Sequence, residues 1–230
     1  MPALTNGEHS MGRLRLTATR LTTVVAAVTV VAVAVSVPAS ASVAQTKAQV
    51  VRSLLSGTQI GDGWHKYSGG DGSAAEVGGC LTEASPSVGL RFKATRSFQY
   101  LTTTAFADES VYAFGTARSA RLDFNASKRL LDSCSSFTID GNTWTVARMP
   151  VSAIADQTVR YRFNGSVPDA AGNKIPVVLF VVVTRYGRQE VTTSLGVGGM
   201  LTSADRTSFA KASVRLCRMA TVKVADRLGR

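Results

Sequence analysis

The chain's nearest approaches to catalytic chemistry are few. From residue 42 onward it holds one histidine, His65, in the run Gly61-Asp62-Gly63-Trp64-His65. A Ser-His-Asp site would have to draw its base from that residue, and a His-paired zinc site has no second imidazole to use. Ser208-Phe209-Ala210-Lys211 has the S-x-x-K spacing in which a lysine assists a serine nucleophile, but the S-D-N and K-T-G companions are missing. Phe209 also falls on an apolar stripe. Gly196-Val197-Gly198-Gly199-Met200-Leu201 lies between a strand and a helix, as a dinucleotide loop would, yet Leu201 stands where the third glycine belongs. It reads as a pliable strand exit. No G-x-S-x-G, P-loop or H-E-x-x-H occurs. The expectation is no catalytic residue, no metal and no cofactor. A carboxylate-based hydrolase would need two acids about 5–9 Å apart across a cleft, and the sequence alone places no such pair.

The chemistry on offer is cationic. In Gln157-Thr158-Val159-Arg160-Tyr161-Arg162-Phe163 strand alternation puts Arg160 and Arg162 on one face and Val159, Tyr161 and Phe163 on the other. With Arg148 and Arg185 they are the candidate ligand-binding residues, an expected basic and partly aromatic sheet face. The competing expectation is a solvated sheet face.

These residues work wherever the chain is delivered. Arg13, Arg15 and Arg20 precede an apolar run over 21–37, followed by Pro38-Ala39-Ser40-Ala41. A basic start, an apolar middle and a small-x-small exit predict a secretory signal over 1–41, cleaved near Ala41, and a secreted or envelope-associated product over 42–230. Of the formal +11 of the whole chain, removal of 1–41 leaves 23 basic and 14 acidic side chains, about +9. Such a charge outside the cell favours small or anionic envelope ligands and is compatible with peripheral contact with a wall or membrane surface. Nucleic acid is not expected as a partner: the cations are scattered, with no stripe of interleaved aromatics.

Export also places the three cysteines, Cys80, Cys134 and Cys217, in an oxidising compartment where one bridge is the default. Loop-closure energy does not choose among the pairings. Cys217 falls on the apolar side of a predicted helix, where a free thiol packs as a small hydrophobe, so Cys80–Cys134 is the expected disulfide.

The elements that must position these groups follow from periodicity. A short amphipathic helix is predicted over 45–56, ended by Gly57, then a glycine-rich loop over 61–79 around Trp64. Strand-forming residues fill 90–112. A helical face over 117–134 comes next, then four strands: 143–149, 157–163, 177–184 and 190–195, the last two a hairpin. The run 177–184 has no polar alternation and reads as a central strand covered on both faces. A last helix starts near Thr202, with Phe209, Ser213, Leu216, Ala220 and Val224 on its buried stripe. This order predicts one α+β domain with a mainly antiparallel β-sheet.

With the elements placed, the chain resembles the PknH-like extracellular sensor domain family of actinobacteria. Ser53-Leu54-Leu55 followed by Gly63-Trp64, Cys80, the strand region 98–106 and Leu130-Leu131 ahead of Cys134 carry the resemblance. It continues through Asp140-Gly141 before Trp144 and Asp156 leading into Arg160-Tyr161-Arg162. The resemblance implies a twisted antiparallel sheet flanked by helices, a groove for a ligand and no enzymatic activity. That family looks stapled by two bridges, whereas three cysteines allow one. The leading expectation is thus a secreted, non-enzymatic sensor or ligand-binding domain. A hydrolase with a carboxylate site and a pocketless structural or interaction protein are the alternatives.

Overall fold

The computed structural model describes residues 45–67, 77–80, 88–100, 104–169 and 171–229. The leader over 21–37, its exit at Ala41 and the glycine-rich residues 69–73 lie outside them.

Helix α1 (Lys47–Ser53) starts in a reciprocal cap: the Thr46 hydroxyl accepts from the Gln49 amide, and Gln49 Oε1 accepts from the Thr46 amide. It stops at Ser53 because Leu54 turns extended, and Leu54 and Leu55 go into the core. Gly57 does not end this helix, as periodicity suggested. It opens a separate turn, α2 (Gly57–Ile60), packed so closely on the next strand that a Cβ at Gly57 would strike the Trp64 carbonyl.

The strands are β1 (Trp64–Tyr67), β2 (Val77–Gly79), β3 (Leu90–Tyr100) and β4 (Ala105–Phe114). Helix α3 (Ala117–Ser133) is followed by β5 (Ser136–Ile139), β6 (Asn142–Met149), β7 (Gln157–Pro168), β8 (Lys174–Tyr186), β9 (Gln189–Gly198) and helix α4 (Ser203–Leu228). The nine strands among the described residues form one antiparallel sheet in the order β1-β3-β4-β9-β8-β7-β6-β5-β2. This is the α+β architecture the element order called for, with two corrections. Trp64 sits in edge strand β1, paired with Tyr100 and in edge-to-face contact with its ring at 5.4 Å. The run 136–139 is a strand, so five strands rather than four separate the two long helices.

Directly paired residues on antiparallel strands share a face, and the two faces carry separate cores. On one, α3 covers Tyr161, Phe163, Leu179, Val181 and Val183 through Phe124 and Leu131. On the other, α1, the turn after it and α4 cover Phe98, Ala107, Val111, Val191 and Leu195 through Val50, Leu55, Leu216, Ala220 and Val224. The predicted stripe of α4 is therefore the one that packs, with Phe209 half-buried at its start. Val177–Thr184 is buried throughout, as a strand covered on both faces must be.

Gly196 and Gly198, read as a pliable exit, lie within β9; Gly196 is needed because the Phe106 ring of β4 occupies the space a side chain would fill. Gly165 of β7 makes the same room for Trp144 of β6. Cys80, just past β2, and Cys134, just past α3, form the expected disulfide, and Cys217 is a free thiol inside α4's buried face.

Candidate functional site

Strand register divides the four candidate arginines, which do not form one face. Arg160 pairs with Met149 and Val182, and Arg162 with Ala147 and Phe180, placing both on the α4 side. Arg148 pairs with Tyr161, and Arg185 with Gln157, placing both on the α3 side. Alternation within β7 gave the Arg160–Arg162 pair correctly. Nothing in a single strand says which residue of the next strand stands opposite it.

Their partners differ as well. Arg185 is held: it meets Asp156 at 3.2 Å, donates from Nε to Gln157 Oε1 at 2.7 Å and from Nη1 to the Gly187 carbonyl at 3.0 Å. It is a clasp for the β8–β9 turn. Arg160 donates from Nη1 to the Ala210 carbonyl of α4 at 3.1 Å, tying sheet to helix. Arg148 meets Asp132 of α3 at 3.0 Å and keeps 52% of its side chain exposed. The same carboxylate takes Lys128 Nζ at 2.7 Å and the Tyr161 hydroxyl at 2.8 Å. Partial burial pushes the Asp132 carboxyl up, but these hydrogen bonds and the nearby cations outweigh it and hold it below the usual range. Burial and the Asp132 carboxylate in turn raise the Tyr161 phenol.

Arg148 stands in the wall of a cleft of about 400 Å³ at the end of the β6–β7 pair, together with Met149, Pro150, Val151, Thr158 and Val159. A volume of this size suits a small ligand. Its lining residues are one cation, one hydroxyl residue and four apolar residues, with no carboxylate, and polar atoms make up the larger share of the wall. One of Arg148's five N–H donors goes to Asp132; the exposed part of the guanidinium retains donors for an anion.

The buried acids lie elsewhere. Asp108 and Glu109 sit mid-strand in β4, Glu190 in β9 and Asp123 in α3, all nearly or wholly shielded from solvent. Asp108 accepts from Ser194 Oγ at 3.0 Å, and burial raises its carboxyl despite that bond and one from Ser97. Burial, with the Asp123 charge adding to it, raises Glu190 well above the carboxylate range. On the opposite face burial pushes Glu109 up to about 7, against the Leu55 amide and the charges of Lys223 and Arg96. None of these acids lines the cleft, so no pair of carboxylates faces a substrate space there. The runs Asp108-Glu109-Ser110 and Glu190-Val191-Thr192 were visible as polar interruptions of apolar strands. Nothing local marks them as buried, because the cover on both sides of these strands comes from distant helices.

The remaining sequence candidates stay apart. His65 is exposed on β1, and Ser208 and Lys211 are exposed on α4. Among the described residues no group of three or more His, Cys, Asp or Glu side chains is placed to hold a metal ion.

The chain matches no protein-family model and no curated protein. Among solved structures it is similar to the extracellular domain of PknH from Mycobacterium tuberculosis, with 14% sequence identity and a TM-score of 0.49, over 74% of this chain and 95% of that one. That domain is of the family the sequence resembles. At this level of likeness any functional reading has to come from the chain's own residues.

Proposed function

We propose that the chain is an exported, non-enzymatic sensor-like domain that captures a small amphipathic anion in the cleft at the end of β6 and β7. The observation that carries this reading is the lining: the half-exposed Arg148, held by Asp132, shares the cleft wall with Thr158, Met149, Pro150, Val151 and Val159. A carboxylate or phosphate would take the free N–H groups of Arg148, and the rest of a small ligand would lie along the cleft wall. Asp132 keeps the guanidinium oriented before the ligand arrives, which lowers the entropy lost on binding. Export is supported by the basic-apolar-small leader and by the Cys80–Cys134 bridge, which suits an oxidising compartment. No helix among the described residues is long and apolar enough to cross a membrane.

The test is thermal unfolding of the oxidised protein against a panel of phosphorylated and carboxylated amphiphiles and envelope extracts. A true ligand at 100 times its Kd adds about 2.7 kcal/mol and raises Tm accordingly. Arg148→Gln should weaken its binding by roughly tenfold or more, the loss of a charge-assisted hydrogen bond. A panel that leaves Tm unmoved, or a ligand indifferent to Arg148→Gln, would sink the reading.

A further inference from the structure

We propose that the outward face of α4 is a docking surface for an anionic phospholipid membrane. The inference is independent of the cleft. Between Asp205 and Asp226 the helix has no acidic residue and five cations. Lys223 turns inward, donating to the Leu54 carbonyl at 2.6 Å and Gln59 Oε1 at 2.7 Å. Lys211, Arg215 and Arg218, spaced four and three apart, fall on one stripe; all are exposed, and none has a hydrogen-bond or ion-pair partner among the described residues.

Like charges at this spacing repel and weaken a helix. An acid one turn away relieves such repulsion, as Asp132 does for Lys128 on α3 at 2.7 Å. The α4 stripe has no such relief. The next position along it is Val222, an apolar side chain 54% exposed. Arg160, hooked to the Ala210 carbonyl, and Arg162 add positive charge on the same side of the sheet.

The stripe is convex. From Lys211 to Arg218 it runs about 10 Å along the helix axis, farther than one small anion spans. A plane of headgroups meets all three at once and gives Val222 an apolar boundary to enter. Each cation brought to an anionic surface strengthens binding by about fivefold.

The experiment is co-sedimentation of the oxidised chain with vesicles of equal parts phosphatidylglycerol and phosphatidylcholine, with pure phosphatidylcholine vesicles and soluble polyphosphate as the other arms. The expected result is binding to the anionic vesicles alone, reduced by high salt. Arg215→Gln with Arg218→Gln should weaken it about thirtyfold, while Arg118→Gln with Arg121→Gln on α3, across the sheet, changes it little. Equal loss from the two pairs would mean that net charge rather than α4 binds, and would overturn the proposal. So would binding to phosphatidylcholine, absence of vesicle binding, or polyphosphate binding in its place. Because none of these residues lines the cleft, failure here leaves the amphiphile Tm shift to stand or fall separately.

Discussion

Trp144 lies against β7 because residue 165 has no side chain. A Cβ there would overlap the indole, which is itself 1% exposed and stacked on Phe137. Gly165→Ala must therefore displace one of the largest buried rings of the α3-side core. Overpacking of this kind costs about 1–3 kcal/mol, to be read as a lower urea midpoint with an unchanged m value. An unchanged midpoint would mean that the ring does not occupy that space. The requirement was not legible in the sequence, where the predicted strand stops at Phe163. Glycine identity reports a local backbone choice, and the ring that demands it arrives from another strand. Cys217 shows the opposite case. Its place on an apolar stripe was readable, and the fold buries it so completely that the thiol is pushed up to about 12, chiefly by loss of solvent.

Helices with an uninterrupted face were legible because one face decides their fate: Thr116 and Thr202 cap α3 and α4, and the buried stripe does the rest. Four-residue strands such as β1 and β5 carry too little alternation to be seen, and they exist because a longer neighbour offers its edge. The segment from α1 to α2 is held by a different device, a single buried carboxylate. Glu109 Oε2 accepts from the Leu55 amide at 2.6 Å, while Arg96 and Lys223 donate to the carbonyls of Leu54 and Leu55. Thr193 of β9 stands beside Glu109 by register, and Cys217 of α4 feels its charge. Opening this segment would return Glu109 to water, where it holds its proton less tightly than the closed form, in which it is pushed up to about 7 from 4.5. Rising pH therefore favours opening, by about seventyfold between pH 5 and pH 8 on linkage grounds. Hydrogen exchange at Leu54–Ile60, corrected for its intrinsic pH dependence, should show protection falling over that interval in the native chain. Glu109→Gln keeps an acceptor for Leu55 and should remove the trend; a trend that persists would place the titrating group elsewhere.

For the molecule as a whole the same sign repeats. Asp108, Glu109 and Glu190 all bind protons more tightly folded than unfolded, each mainly because burial disfavours the charged form. Their contribution to stability is complete below the unfolded carboxylate range and is lost as pH rises through their folded values. For Glu109 alone, a rise from 4.5 to about 7 is worth about 3 kcal/mol across that window. Asp132, Asp169 and Asp205 act in the other direction, each held down by hydrogen bonds, so their contribution is lost only as pH falls below the usual carboxylate range. Stability should then peak in mild acid, near pH 5, and decline toward pH 8, whereas most proteins hold their maximum between about pH 5 and 8. Tm measured from pH 4 to 9 checks this directly, and Glu109→Gln should flatten the slope between pH 5 and 7. A Tm that climbs from pH 5 to pH 8 would show that these carboxyls are hydrated in the folded chain, and with that the buried polar band at the centre of the sheet would be an open one.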